Sequence, residues 1–197
     1  MSEQNRWNER YANRDSATAI DPPSPFLVAQ EPLLRSIPLG RALDVACGTG
    51  RNSIYLASLG FEVDAVDISD VVIDWLAGEV ERRGLSINAV QTDLTQNPFP
   101  NDGYQVIINF RYLQRDLFKP MMNALLPGGL LIFETMHRDY VEKLGNEMNP
   151  DFLMGDNELL DAFRGLRILR YEEGLKAIKN SERETALASL VAQKVSR

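Results

Sequence analysis

The 197-residue sequence contains one cysteine, Cys47, and one histidine, His137. A single cysteine cannot close an internal disulfide, and no paired-cysteine spacing of the kind that holds a metal is present, so no metal site is expected. No apolar run approaches the roughly 18 residues that cross a bilayer. The opening Met1-Ser2-Glu3-Gln4-Asn5-Arg6-Trp7 lacks the apolar stretch of a secretion signal. A cytoplasmic location is therefore the expectation. Positive charge is also scarce: 21 Lys and Arg against 28 Asp and Glu leave a formal net charge of −7. Arg164, Arg167 and Arg170 cluster, but Asp156, Glu158, Asp161, Glu172 and Glu173 surround them. That stretch reads as a solvated mixed-charge face and not as a grip on phosphates. The expected partner is a small molecule, not a nucleic acid or a membrane.

What remains is ordinary globular composition, 44% hydrophobic and 25% charged, enough for a single domain with one core. There is no internal repeat. Trp7-Asn8-Glu9-Arg10-Tyr11 makes one amphipathic turn with both aromatic rings on one face. Residues 1–25 are read as a lid or an anchoring segment. Asp21-Pro22-Pro23-Ser24-Pro25 is a rigid extension, and a helix is expected within Phe26–Ser36, open to splitting at Pro32.

From Arg41 onward strands and helices alternate. Arg41–Val45, Phe61–Val66, Ile87–Gln91, Tyr104–Phe110 and Leu130–Glu134 read as strands. Helices are expected within Asn52–Leu59 (closed by Gly60), over Asp70–Arg83 (capped by Ser69, stopped by Gly84), within Leu117–Leu126 (ended by Pro127-Gly128-Gly129), and near Glu158–Phe163. Such alternation predicts a parallel sheet. Leu166–Tyr171 and Ala186–Val195 have only a polar loop, Lys179-Asn180-Ser181-Glu182, between them, and so predict an antiparallel hairpin. The expected fold is α/β and Rossmann-like: a seven-stranded mixed sheet with a C-terminal antiparallel hairpin and helices on both faces.

The chemistry concentrates at the first strand-to-helix turn, Leu43-Asp44-Val45-Ala46-Cys47-Gly48-Thr49-Gly50. Glycines there let a ligand approach the backbone. Asp67 ends the next strand about twenty residues on, where a carboxylate accepts hydrogen bonds from ribose hydroxyls. The competing reading makes Asp67 a cap for the following helix. Ser53 stands where a dinucleotide site wants glycine or alanine against the strand, and Asp44 beside the glycines repels a pyrophosphate but suits a cationic ligand. Cys47 is read as a packing residue.

The segment Asp44–Gly50 resembles the glycine-rich motif of class I S-adenosylmethionine (SAM)-dependent methyltransferases. Asp67 is similar to their ribose-binding acid, Asp93-Leu94 to the pair beside the adenine, and Pro127-Gly128-Gly129 to the turn before their fifth strand. Trp7–Tyr11, Pro23–Leu27, Asn109–Leu117, Phe133-Glu134-Thr135 and Asn149–Leu153 resemble the tellurite-resistance-type, thiopurine-methyltransferase-like branch. The resemblance implies the class I fold and SAM as cofactor, held by Asp44, Ala46, Gly48, Gly50, Asp67, Ile68, Asp93, Leu94 and Asn109. It also implies methyl transfer to a small acceptor, with a soft sulfur or chalcogen nucleophile as one option; the alternative is a SAM-binding sensor without transferase activity.

The acceptor is expected beyond the carboxyl ends of the fourth and fifth strands. Arg111 or Arg115 is a candidate to orient an anion, Tyr112 to position the acceptor, and Glu134 or His137 to act as base. Glu134 has a competing reading as the structural partner of Arg111 or Arg115. The favoured reading of His137 is a solvated loop.

Overall fold

The computed structural model describes residues 2–13, 21–101, 103–178 and 183–195, so the expected polar loop at 179–182 lies outside the described residues. The strands are β1 (Arg41–Val45), β2 (Glu62–Asp67), β3 (Ile87–Gln91), β4 (Tyr104–Phe110), β5 (Leu125–Met136), β6 (Arg167–Ala177) and β7 (Glu184–Gln193). They form one sheet in the order β3-β2-β1-β4-β5-β7-β6. The first five run parallel, and β7 pairs antiparallel with both β5 and β6. The helices are α1 (Glu3–Ala12), α2 (Pro25–Val28), α3 (Glu31–Leu34), α4 (Arg51–Ser58), α5 (Asp70–Arg83), α6 (Phe118–Ala124), α7 (Asp139–Glu142) and α8 (Glu158–Ala162). Among the described residues no helix is long and apolar enough to cross a membrane.

Val106–Ile108 of β4 and Leu130–Phe133 of β5 are unbroken apolar runs because helices cover both faces. Successive residues of a strand point to opposite sides, and the core divides accordingly. Leu43, Ile107, Leu131 and Phe133 pack with Met121 of α6, Leu159 of α8 and Phe163. Their neighbours Ala42, Val106, Ile108 and Ile132 pack with Leu27, Leu56 of α4, Phe61 and Leu76 of α5. Phe133, Phe118 and Phe163 meet pairwise at ring-centroid distances of 5.1–5.9 Å, within the range of favourable tilted packing.

One open expectation is settled and two elements depart from expectation. Pro32 does split the helix within Phe26–Ser36: it sits in the first turn of α3, where its missing N–H costs nothing. β5 begins at Leu125, not Leu130, because Leu125 pairs with Tyr104 before the register shifts between Tyr104 and Val106. The Pro127-Gly128-Gly129 turn is thus a bulge inside a strand. The hairpin arms extend to Ala177 and from Glu184 because Glu172-Glu173-Gly174, unlike an apolar strand, carries charge on an edge while its backbone still pairs with β7.

Gly129 is required at its place. A Cβ there would lie 2.9–3.1 Å from the carbonyl oxygens of Leu126, Tyr104 and Gln105, none of which can yield without breaking the bulge. Gly129→Ala is expected to destabilise the fold by about 1–3 kcal/mol. Urea unfolding should show a lower midpoint at an unchanged slope; an unchanged midpoint would contradict the bulge as described.

Chain order places β1 at the switch point: the chain moves from β1 outward to β2 and β3, then returns to β4 on the other side of β1. Loops leaving β1 and β4 therefore diverge and open a crevice at the carboxyl ends of the strands.

Candidate functional site

The turn after β1 forms the floor of this crevice. Cys47 N–H donates to Val66 O at 2.9 Å and Gly50 N–H to Cys47 O at 3.0 Å. Ala46 has φ +55°, Gly48 +53° and Gly50 +71°. A left-handed alanine is strained, and such residues persist where the surroundings over-determine them, often at functional sites. The two glycines serve different ends. A Cβ on Gly50 would meet Leu76 Cδ1 at 2.5 Å, so Gly50 seats α4 and α5 together and does not line the cavity. Gly48 faces the cavity, with Tyr11 Oη 3.0 Å from where its Cβ would be.

A cavity of about 950 Å³ opens above this turn, at the upper end of what small-molecule sites span. Asp67 lines it from the end of β2. Its Oδ2 accepts from Gly48 N–H at 2.9 Å and its Oδ1 from Ser69 N–H at 3.0 Å. Each oxygen keeps a lone pair for a further donor. Burial raises the Asp67 carboxyl above its ordinary value, against these backbone hydrogen bonds. Ser69 does not cap α5 with its side chain; its hydroxyl donates to Asn8 Oδ1 at 2.7 Å instead.

Asp44, from β1, also lines the cavity and is almost wholly buried. Burial pushes its carboxyl up to about 7, with the charge of Asp67 adding to the rise. Ser53 Oγ–H donates to its Oδ2 at 2.6 Å and opposes that shift. The sequence marks Ser53 only as not glycine; its hydroxyl in fact orients Asp44. Burial, then Asp44 and Asp67, drive the Cys47 thiol well above its usual value, which keeps it protonated. Ile68, Asp93 and Leu94 line the cavity from the ends of β2 and β3. Asp93 Oδ1 accepts from the Thr95 amide at 2.8 Å and the Thr95 hydroxyl at 2.7 Å.

The acceptor-side residues separate. Arg111 and Tyr112 line the cavity; Asn109, Glu134 and His137 do not. Arg111 has φ +63°, a second strained non-glycine at the rim. Its Nη1 lies 2.7 Å from Met136 Sδ and its Nη2 4.0 Å from Glu134 Oε1. Burial raises the Tyr112 phenol to about 12, followed by Asp93, Glu3 and Asp67. Asn109 is buried beneath the rim, and its Nδ2 donates to Tyr112 O at 2.7 Å. Glu134 turns into the sheet, where Oε2 accepts from Ser189 Oγ at 3.2 Å, and Lys176 Nζ donates to that same Oγ at 2.6 Å. Its structural arginine is Arg111; Arg115 pairs with Glu158 and donates to the carbonyls of Asp151 and Leu153. His137 is not in a solvated loop but only 2% exposed. Its backbone N–H donates to Ala186 O at 3.0 Å, which draws the residue against β7.

Helix α1, within the segment expected as a lid or anchor, supplies further cavity residues, of which Glu3, Arg6 and Arg10 carry no local sequence signal. Trp7 and Tyr11 stack at 5.8 Å and line it together with Glu3, Arg6 and Arg10. The Asn8–Ser69 hydrogen bond fastens α1 over the head of α5. Arg51, Met148 and Phe152 complete the opposite walls.

Residues 42–129 match the family described as Methyltransferase domain. The chain is 28% identical over 167 residues to the probable S-adenosyl-L-methionine-dependent methyltransferase TehB of Haemophilus influenzae (strain 10810), a match covering 78% of this chain and 57% of that protein. Glycine N-methyltransferase of Mus musculus is 31% identical over 134 residues, covering 57% of this chain and 46% of that protein. The crystal structure of TehB from Haemophilus influenzae superposes with a TM-score of 0.74 at 21% identity, covering 95% of this chain and 67% of that one. The chain spans about half the length of the curated relatives it matches.

Proposed function

We propose that this chain, which has the class I methyltransferase fold, carries a methyltransferase domain over residues 42–129 and resembles TehB, binds SAM in the crevice and transfers its methyl group to a small acceptor. The observation that carries this reading is the pair of buried carboxylates on adjacent strand ends, Asp44 and Asp67, facing one cavity around a side-chain-free Gly48. Two desolvated acids attract a cation and exclude a diphosphate. Asp67 accepts the ribose hydroxyls on the lone pairs left by Gly48 and Ser69. Asp44, oriented by Ser53, faces the cationic amino-acid end, and Ile68, Asp93 and Leu94 receive the adenine. Asn109 acts indirectly, bracing the Tyr112 carbonyl and so the rim. Helix α1 covers the cleft through Trp7 and Tyr11.

Bound SAM supplies a methyl group on a sulfonium, which departs as a neutral thioether while the acceptor's bond to carbon forms. The protein's task is then alignment in a water-poor space. Arg111 orients an anionic acceptor between Met136 and Tyr112. Around Arg111, Phe110, Thr135, Met136, Met148 and Phe152 add no carboxylate or imidazole, and the Tyr112 phenol stays protonated at neutral pH. Of the carboxylates that line the cavity, Asp44, Asp67 and Asp93 are taken by SAM, and Glu3 and Asp21 belong to the N-terminal segment. This favours an acceptor that is nucleophilic without a base, a thiolate or a chalcogen anion. Transfer of labelled methyl from SAM to small thiols, selenite and tellurite tests the proposal; no labelled product from any of them, with SAM bound, would contradict it.

Arg111→Ala is expected to lower kcat/KM for an anionic acceptor about ten- to hundredfold, the loss of one charge-assisted contact. The dissociation constant for SAM should stay within about twofold. Unchanged turnover of the anionic acceptor would remove Arg111 from the acceptor site.

A further inference from the structure

Outside the lining of the cleft, the structure brings together three side chains that lie far apart in sequence. His137 follows β5, Asp156 precedes α8, and Glu173 lies on β6; one potential ligand atom from each falls within 4.8 Å of the others. His137 Nε2 is 3.4 Å from Asp156 Oδ1 and 3.7 Å from Glu173 Oε2. Those separations leave Nε2 buried with no hydrogen-bond partner, in a side chain only 2% exposed. A buried polar atom aimed at two carboxylates and bonded to neither calls for an explanation.

We propose that His137, Asp156 and Glu173 form a binding site for a divalent transition metal, with zinc as the best match. Zinc bonds to imidazole nitrogen and carboxylate oxygen are about 2.0–2.2 Å, so neighbouring atoms of its tetrahedron stand roughly 3.4 Å apart. The two histidine–carboxylate separations are tetrahedron edges and not hydrogen bonds. One nitrogen and two oxygens suit zinc better than the all-oxygen cations calcium and magnesium.

The surroundings fit as well. The Asp139 backbone N–H donates to His137 Nδ1 at 3.3 Å and Asp139 Oδ2 lies 3.5 Å from the same nitrogen, so the ring is held from its Nδ1 side with Nε2 turned to the two carboxylates. An ion at Nε2 displaces the proton there, which Nδ1 then carries toward Asp139 Oδ2. Asn157 N–H and the Tyr171 hydroxyl both donate to Glu173 Oε2, the oxygen 3.7 Å from His137 Nε2, and fix that carboxylate in place. An ion bound through Oε2 takes the place of one of these donors, while the Arg138 guanidinium holds the other oxygen of Asp156. Asp156 is half-exposed, which leaves solvent to complete the coordination. Such an ion would pin the segment between β5 and α8 against β6. That segment contributes Met148 and Phe152 to the cavity, so the metal would set the acceptor wall without touching the reaction.

The test uses the full chain, free of any histidine tag and stripped with a chelator, titrated with zinc chloride. Because His137 is the one histidine in the sequence, its imidazole resonances in a 15N-labelled sample need no assignment. The expected result is one zinc per chain by calorimetry, a shift of the Nε2 resonance and a rise in Tm. All three should be lost in Asp156→Ala, chosen because Asp156 is half-exposed whereas His137 is buried. Absence of zinc binding overturns the proposal. So does binding that leaves the imidazole resonances unmoved, or that persists unchanged in Asp156→Ala.

Discussion

Replacing Asp67 with alanine is expected to weaken SAM binding by about a hundredfold or more. Two hydrogen bonds from ribose hydroxyls to a desolvated carboxylate are lost, each worth about 1.5–3 kcal/mol. The same carboxylate holds the Gly48 and Ser69 amides at 2.9 and 3.0 Å, so the alanine variant also loosens the glycine turn. Asp67→Asn separates the two effects. An amide keeps one acceptor oxygen but faces the second backbone N–H with a donor, so its deficit should fall between those of wild type and alanine. Calorimetric titration with SAM, on variants whose circular dichroism matches wild type, provides the reading. An Asp67→Ala chain that binds SAM normally would remove the ribose assignment.

The second large effect is one of pH. Without a bound cation, Asp44 titrates at about 7 because burial, and then the charge of Asp67, disfavour its ionised form. A cationic ligand favours the ionised carboxylate and lowers that value, so binding below pH 7 expels a proton. Affinity should therefore rise with pH, by close to tenfold per unit over the span between the bound and free values, and level off above about 7. Asp44→Asn should flatten the profile. Folding carries the opposite sign. A carboxyl raised in the folded state favours folding below its unfolded value of 3.8, and that contribution is lost as pH rises through about 7. The ligand-free chain should lose thermal stability over that window, and SAM should restore it. An affinity independent of pH between 5.5 and 7 would contradict the assignment of Asp44.

Where local chemistry decides, the chain could be read in advance. β1, β3, β4 and α5 begin and end where hydrophobic runs meet turn residues, and Gly84 closes α5 in the left-handed conformation. The acids Asp44, Asp67 and Asp93 reach the cavity because the ends of parallel strands must converge at the switch point. Local sequence cannot say which way a residue near a strand end faces. Asn109 and Glu134 turn inward while their neighbours Phe110 and Thr135 line the cavity. Nor can it reveal pairings across long separations. The Ser53–Asp44 and Asn8–Ser69 hydrogen bonds, and the meeting of His137 with Asp156 and Glu173, exist only once the sheet has formed. Edge strand β6 was legible only to Tyr171 because its later side chains answer to solvent, leaving no apolar alternation to mark it.

The central claim is that two buried carboxylates and a bare glycine turn make this crevice a receptor for a sulfonium nucleoside. Calorimetric titration of the wild-type chain with SAM, and in parallel with NADH, tests it most directly. The account predicts one SAM per chain with micromolar-scale affinity and no heat from NADH. A properly folded chain that ignores SAM, or that takes up the dinucleotide in its place, would contradict it.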